Sequence, residues 1–295
     1  RQMCIRDRCT ALKQRGIFMA KKERRIVFSV GLLCLLIFTF TDLQISMAVA
    51  TKPGWARVLE VIGEIPFTIL SITACALLIR FRSKKNITVS LLSALGAGFL
   101  LFFLSYMGGF MTWNYLSDNL GEISKSWIPV IGILMVAAAI WLAMQVPKAC
   151  KSQALRFAAV ALLYFILVLI IMNSLKATWG RMRFREMTDP IAEFTRWYQI
   201  VPRGGFDNVY ASFPSGHSMN SAGVILLTLL PPIIPALKDK EKALHIFVYI
   251  WCAVVGISRV FMGAHFASDV TVGILLSLTI FEVLRTLIFR KKQEV

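Results

Sequence analysis

The chain has 295 residues, 57% of them hydrophobic, a mean hydropathy of +0.68 and a formal net charge of +17. Apolar runs this long and this frequent point away from a soluble core, and they are too long for barrel strands, which leaves an all-α polytopic transmembrane bundle. The positive charge sits in the segments between apolar runs, where it reports membrane orientation rather than nucleic-acid binding.

Residue 1 is Arg, and residues 1–8 resemble translated sequencing-adapter sequence, so 1–18 are set aside as a non-native extension with Met19 as the expected start. The apolar stretch after Met19 is longer than a signal-peptide core and reads as a span. About eight segments of roughly 20 residues follow, at 26–47, 58–79, 87–110, 127–146, 154–175, 218–237, 243–262 and 266–289. Asp42 interrupts the first of them. Pro231, Pro232 and Pro235 should kink or end the sixth before its apolar run is exhausted.

Basic residues alternate along this series. They precede the first segment (Lys21, Lys22, Arg24, Arg25) and follow the second (Arg80, Arg82, Lys84, Lys85). They join the fourth to the fifth (Lys148, Lys151, Arg156), separate the sixth from the seventh (Lys238, Lys240, Lys242) and close the chain (Arg290, Lys291, Lys292). Cytoplasmic loops retain Lys and Arg, so both termini are expected inside and the polar stretch 176–214 outside. The cysteines show no CxxC spacing of the kind that binds zinc. The residues carry no indication of oligomeric state.

Three polar clusters mark ends of apolar runs in the second half. In the first, Lys176 and Arg183 are seven apart and would share a helix face across two turns. A snorkelling membrane boundary would explain the cations alone, but their position on the outer side goes against the charge rule. The second, Pro214-Ser215-Gly216-His217, precedes a helical run, so Ser215 and the Gly216 amide should face outward at a helix N-terminus, a place that favours anions. Ser215 could equally cap that helix. In the third, Ser258-Arg259 is followed by His265, and Asp269 lies four residues on, within hydrogen-bond reach on one helix face. A carboxylate on one imidazole nitrogen would leave the other free as a nucleophile.

In order and spacing the clusters resemble the signature of the type-2 phosphatidic acid phosphatase superfamily, KxxxxxxRP, PSGH and SRxxxxxHxxxD. One position departs, with Phe184 standing where the family has proline after Arg183. The resemblance implies a six-span phosphatase core at 87–289, preceded by an added hairpin at 19–86 and followed by a tail at 290–295. It further implies that His265 attacks phosphorus, Asp269 orients it, and His217 protonates the leaving alkoxide and then activates water. Lys176, Arg183, Ser215, Gly216 and Arg259 would hold the phosphate oxygens, with neither metal nor other cofactor required. Arg181 and Arg185 stand as auxiliary phosphate contacts or headgroup-layer residues, and His245 as structural.

A phosphate pocket at the outer surface, opening between spans, suits an amphiphile whose tail stays in the bilayer. The expected function is therefore a lipid phosphate phosphatase in a bacterial inner membrane, with a lipid phosphotransferase using the same site as its near alternative. A transporter or flippase would place polar groups near midplane in related halves, whereas these lie at one interface in the second half.

Overall fold

The computed structural model describes residues 21–83, 86–202 and 207–289, and every regular element among them is helical. In order they are α1 Lys21–Val49, α2 Gly54–Ile62, α3 Ile65–Phe81, α4 Ile87–Leu120, α5 Trp127–Met144, α6 Lys151–Trp179, α7 Pro190–Glu193, α8 Gly216–Ser221, α9 Glu241–Phe261 and α10 Ala267–Phe289. Among the described residues seven stretches are long and apolar enough to cross a membrane: α1, α2 with α3, α4, α5, α6 with the short turn before it, α9 and α10. The chain is an all-α integral membrane protein. The expected non-native start and the tail at 290–295 lie outside the described residues.

The difference from the expected eight spans is at 218–237. There α8 passes into a 3-10 stretch at Ala222–Leu229, and Pro235 opens a further 3-10 turn at Pro235–Leu237. Pro231 and Pro232 stop any regular helix there, but they follow Ala222–Leu229 and do not account for its 3-10 form. It tolerates the irregularity because protein surrounds it: Val224, Ile225 and Leu226 are fully buried in one cluster with Phe157 and Ala158 of α6 and Phe281 of α10. A 3-10 helix rises about 2.0 Å per residue against about 1.5 Å in an α-helix, so Gly216–Leu229 reaches about 25 Å with few residues. The chain thus still passes from the end of the bundle that holds His217 to the end where α9 begins.

That second end is closed by ionic contacts. Glu23 of α1 receives a hydrogen bond from the Tyr249 hydroxyl at 2.9 Å and lies 3.0 Å from His245 Nδ1, while Arg285 donates to Glu282 at 2.5 Å. His245 therefore has the structural place expected of it, remote from the three motifs. Between the two ends α3 is central, against α4, α5 and α6, while α1 lies on the outside against α10.

The second expected segment is interrupted by Gly63 and Glu64, where α2 stops and α3 starts. The Trp251 indole of α9 donates to the Gly63 carbonyl at 3.2 Å, which fixes the break and supplies a donor to a carbonyl freed from the helix ladder.

Helices α4 and α5 approach tightly at Gly109, where a Cβ would lie 2.3 Å from the Ile128 carbonyl oxygen; nothing lies within 4 Å of a Cβ at Gly96. Gly109→Ala should therefore lower the thermal stability of the detergent-solubilised protein by about 1–3 kcal/mol through overpacking. Gly96→Ala, by contrast, should leave the melting temperature unchanged or slightly higher.

Candidate active site

At the end of the bundle away from His245 a cavity of about 420 Å³ is lined by Lys176, Arg183, Arg259, Gly216, His217 and His265. Phe103, Met107 and Met111 of α4 and Phe165, Leu169 and Met172 of α6 add an apolar part to its lining. Members of all three sequence motifs meet here.

Lys176 reaches the cavity from the last turn of α6. The helix ends at Trp179 and the chain turns at Gly180 (φ 62°), so Arg183 is in extended backbone and does not share a helix face with Lys176 as the spacing had suggested. The two converge because the chain folds back. Arg183 N–H donates to the Val209 carbonyl at 3.0 Å, Arg185 N–H to the Gly263 carbonyl at 2.9 Å, and Arg183 Nη2 to Asn208 Oδ1 at 2.8 Å. Burial, and after it the neighbouring Arg185, holds the Arg183 guanidinium pKa below its usual value. Arg183 Nε and Arg259 Nη2 are buried donors without a hydrogen-bond partner among the described residues, as donors awaiting an anion would be. Phe184 begins a short 3-10 turn, a position that also suits proline, and its ring meets Phe266 edge-on at 6.2 Å.

In the second motif the Ser215 hydroxyl accepts from Ser218 N–H at 3.3 Å and lies 2.9 Å from Ser218 Oγ. It caps α8, and the motif lines the cavity through Gly216 and His217 instead. A Cβ on Gly216 would meet Met172 Sδ at 2.5 Å and Lys176 Nζ at 3.2 Å, so the missing side chain is what lets the ammonium approach α8. His217 Nδ1 stands 3.0 Å from Glu64 Oε1, and the Tyr115 ring meets the imidazole edge-on at 5.2 Å.

His265 and Asp269 do not bond directly, contrary to the expectation from their spacing. His265 lies in the loop before α10, where its Nδ1 donates to the Ser212 carbonyl at 2.6 Å. The Ser212 hydroxyl donates to Asp269 Oδ2 at 2.6 Å, and the same carboxylate accepts from Phe266 N–H at 2.9 Å, capping the start of α10. Ser212 therefore stands between the two. A carbonyl can only accept, so the proton is on Nδ1 and Nε2 carries the free lone pair. Burial first, then Arg183, Lys176 and Arg259, pushes the His265 pKa well below 6.5, which keeps the ring neutral at pH 7.

Arg181 is fully buried away from the cavity and so is not an auxiliary phosphate contact. Its guanidinium bridges Asp269 and Asp42, donates to the Thr195 carbonyl at 2.9 Å and lies over the Phe266 ring at 4.1 Å. Asp42, which interrupted the first apolar run, is thus neutralised inside the bundle and also accepts from Ser268 N–H at 2.9 Å. Arg185 does line the cavity, paired with Glu186 at 3.1 Å.

Three acidic residues of the N-terminal hairpin were not foreseen at the site. Asp42 holds Arg181; Glu60 accepts from Arg259 Nη1 at 2.8 Å and from Asn119 at 3.0 Å; Glu64 faces His217. The available signal was their chemistry. A carboxylate inside an apolar span is expensive unless it has a partner, and only Asp42 stood out on that ground.

A model of the PAP2 superfamily matches residues 157–293, a segment that holds Lys176, Arg183, His217, Arg259, His265 and Asp269. Glu60, Glu64 and Tyr115 line the cavity from outside that PAP2 segment, and Asp42 holds Arg181 behind it. Phosphatidylglycerophosphatase B of Bacillus subtilis (strain 168) is 43% identical over 72 residues, which is 24% of this chain and 36% of that protein, so the match spans about a third of the relative's length. The crystal structure of the first transmembrane PAP2 type phosphatidylglycerolphosphate phosphatase from Bacillus subtilis aligns over 91% of this chain and 97% of that one, with 22% identity and a TM-score of 0.37.

Two consequences can be measured on the PAP2 segment. Arg181→Met leaves the buried Asp42 and Asp269 carboxylates uncompensated and should destabilise the protein by about 3–5 kcal/mol in detergent thermal unfolding. For His265, an unfolded histidine takes up a proton below about 6.5 whereas the folded one does not until lower pH, so the unfolded state binds more protons in that window. Stability relative to His265→Ala should therefore fall as pH drops from about 6.5 towards the lower folded pKa, by at most about 1.4 kcal/mol per pH unit, and stay flat above it.

Proposed function

We propose that this protein is a membrane lipid phosphate phosphatase acting through a phosphohistidine on His265. The observation that carries the reading is the convergence of Lys176, Arg183 and Arg259 with two histidines on a cavity whose lining is otherwise partly apolar. Phosphoryl transfer asks chiefly for placement and for neutralisation of spread negative charge, and fixed cations in a water-poor site supply both.

In the proposed cycle the three cations and the Gly216 amide bind the phosphate oxygens. His265 Nε2 attacks phosphorus while its Nδ1 keeps its proton, hydrogen-bonded to the Ser212 carbonyl. The bond from phosphorus to the lipid oxygen breaks as the nitrogen–phosphorus bond forms, and His217 gives its proton to the departing oxygen. His217 then takes a proton from water, which attacks the phosphohistidine, releases inorganic phosphate and restores His265. Asp269 acts at one remove, through Ser212.

Support for an amphiphilic substrate comes from the apolar part of the lining, where Phe103, Met111 and Leu169 are also partly exposed on the outside of the bundle and can continue into the bilayer. Phosphatidylglycerol phosphate is the first lipid to try, because phosphatidylglycerophosphatase B, 43% identical over 72 residues, is named for it. The basic residues at the opposite end favour cytoplasmic termini in a bacterial inner membrane, with the cavity on the periplasmic side.

The test is phosphate release by purified protein in detergent from a panel of lipid phosphates that includes phosphatidylglycerol phosphate, with EDTA present. Release should persist in EDTA, be blocked by vanadate, disappear in His265→Ala, and fall roughly 10²–10³-fold in Arg259→Ala. Undiminished release by His265→Ala would overturn the reading.

A further inference from the structure

Glu64 lies outside the PAP2 segment, at the two-residue break between α2 and α3, and its carboxylate stands 3.0 Å from His217 Nδ1. Glu64 occupies the N-cap position of α3, yet its side chain makes no capping hydrogen bond. The neighbouring acid, Glu60, is committed to Arg259 and Asn119, which leaves Glu64 as the carboxylate facing this histidine. On the far side of the ring, Nε2 occupies the space that a Cβ on Gly63 would fill, 2.8 Å away, and Tyr115 covers the imidazole edge-on. The ring is therefore packed between the Gly63-Glu64 break and Tyr115 of α4, although the histidine itself belongs to α8.

We propose that Glu64 is a positioning residue for His217. It holds Nδ1, so that Nε2 is the nitrogen that exchanges a proton with the lipid oxygen and then with water. The inference rests on the phosphatase reading. A carboxylate paired with imidazole fixes the ring's rotation and its tautomer, and it stabilises the imidazolium that exists before the leaving oxygen is protonated. A half-buried acid without such a use would be a poor choice for stability beside an apolar span. Gly63 completes the arrangement, because any larger residue would press on Nε2.

The experiment is a double-mutant cycle on the full-length protein in detergent, read as single-turnover release of phosphate from labelled phosphatidylglycerol phosphate. Glu64→Gln keeps the size of the side chain and removes its charge. It should lower the maximal rate roughly tenfold to a hundredfold, a share of the 10²–10⁴ that a placed proton-transfer group contributes. Substrate KM and vanadate inhibition should stay near wild type, and Glu64→Asp should recover part of the loss. In a His217→Ala background, Glu64→Gln should cost nothing further. An equal loss in both backgrounds, a wild-type rate in Glu64→Gln, or loss of vanadate inhibition along with rate would each overturn the proposal. Wild-type protein without release, or fully active His265→Ala, would instead overturn the phosphatase reading and this inference with it. The normal pattern for those two proteins with additivity at Glu64 would remove the positioning role alone.

Discussion

Everything at this end of the molecule depends on holding Lys176, Arg183 and Arg259 together in surroundings that are mostly hydrocarbon and protein. Like charges in a poorly solvated cavity repel strongly and lose hydration, so the fold must supply either counter-charges or rigid anchors for each. It supplies both. Arg259 is held by Glu60 and Arg183 by Asn208, while Lys176 rests against the open face of Gly216. Burial, and after it the same cations, keeps His265 neutral, so the field that would attract a phosphate also helps keep the Nε2 lone pair available.

A second layer of charge stands behind the first. Arg181, Asp42 and Asp269 form a buried network that ties α1, the polar loop and α10 into one piece. Ser212 links it to the cavity, because its hydroxyl meets Asp269 and its carbonyl meets His265. The direction of the imidazole is thus set by backbone whose own position is fixed by the buried ion pairs. Trp197 extends this anchoring by donating to Thr39 of α1 at 2.9 Å, which pins the polar loop against the outermost helix.

Much of this was legible in the sequence because its signals were local. Apolar run lengths found the long helices, and the intervals within the three motifs named the residues that do meet at the cavity. Two kinds of fact were hidden. Helical spacing placed Lys176 beside Arg183 and His265 beside Asp269, but Gly180 ends one helix early and His265 precedes the start of the other, so both pairs come together by tertiary folding. The contributions of Glu60 and Glu64 were hidden because they depend on a hairpin distant in sequence closing over the motif residues, which no local period can report. Segment 218–237 was readable as troubled from its prolines, but its conversion to a 3-10 path depends on the neighbours that shield it.

The phosphoryl-enzyme itself can be sought by mixing protein with lipid carrying labelled phosphate, quenching in alkali within the first turnover, and mapping the label by peptide. Label should appear on His265, be stable to alkali and labile to acid, and be absent from His265→Ala. Turnover by the wild-type protein with no label on His265 at any quench time, or with the label on another residue, would contradict the assignment of His265 as the nucleophile served by this cationic cavity.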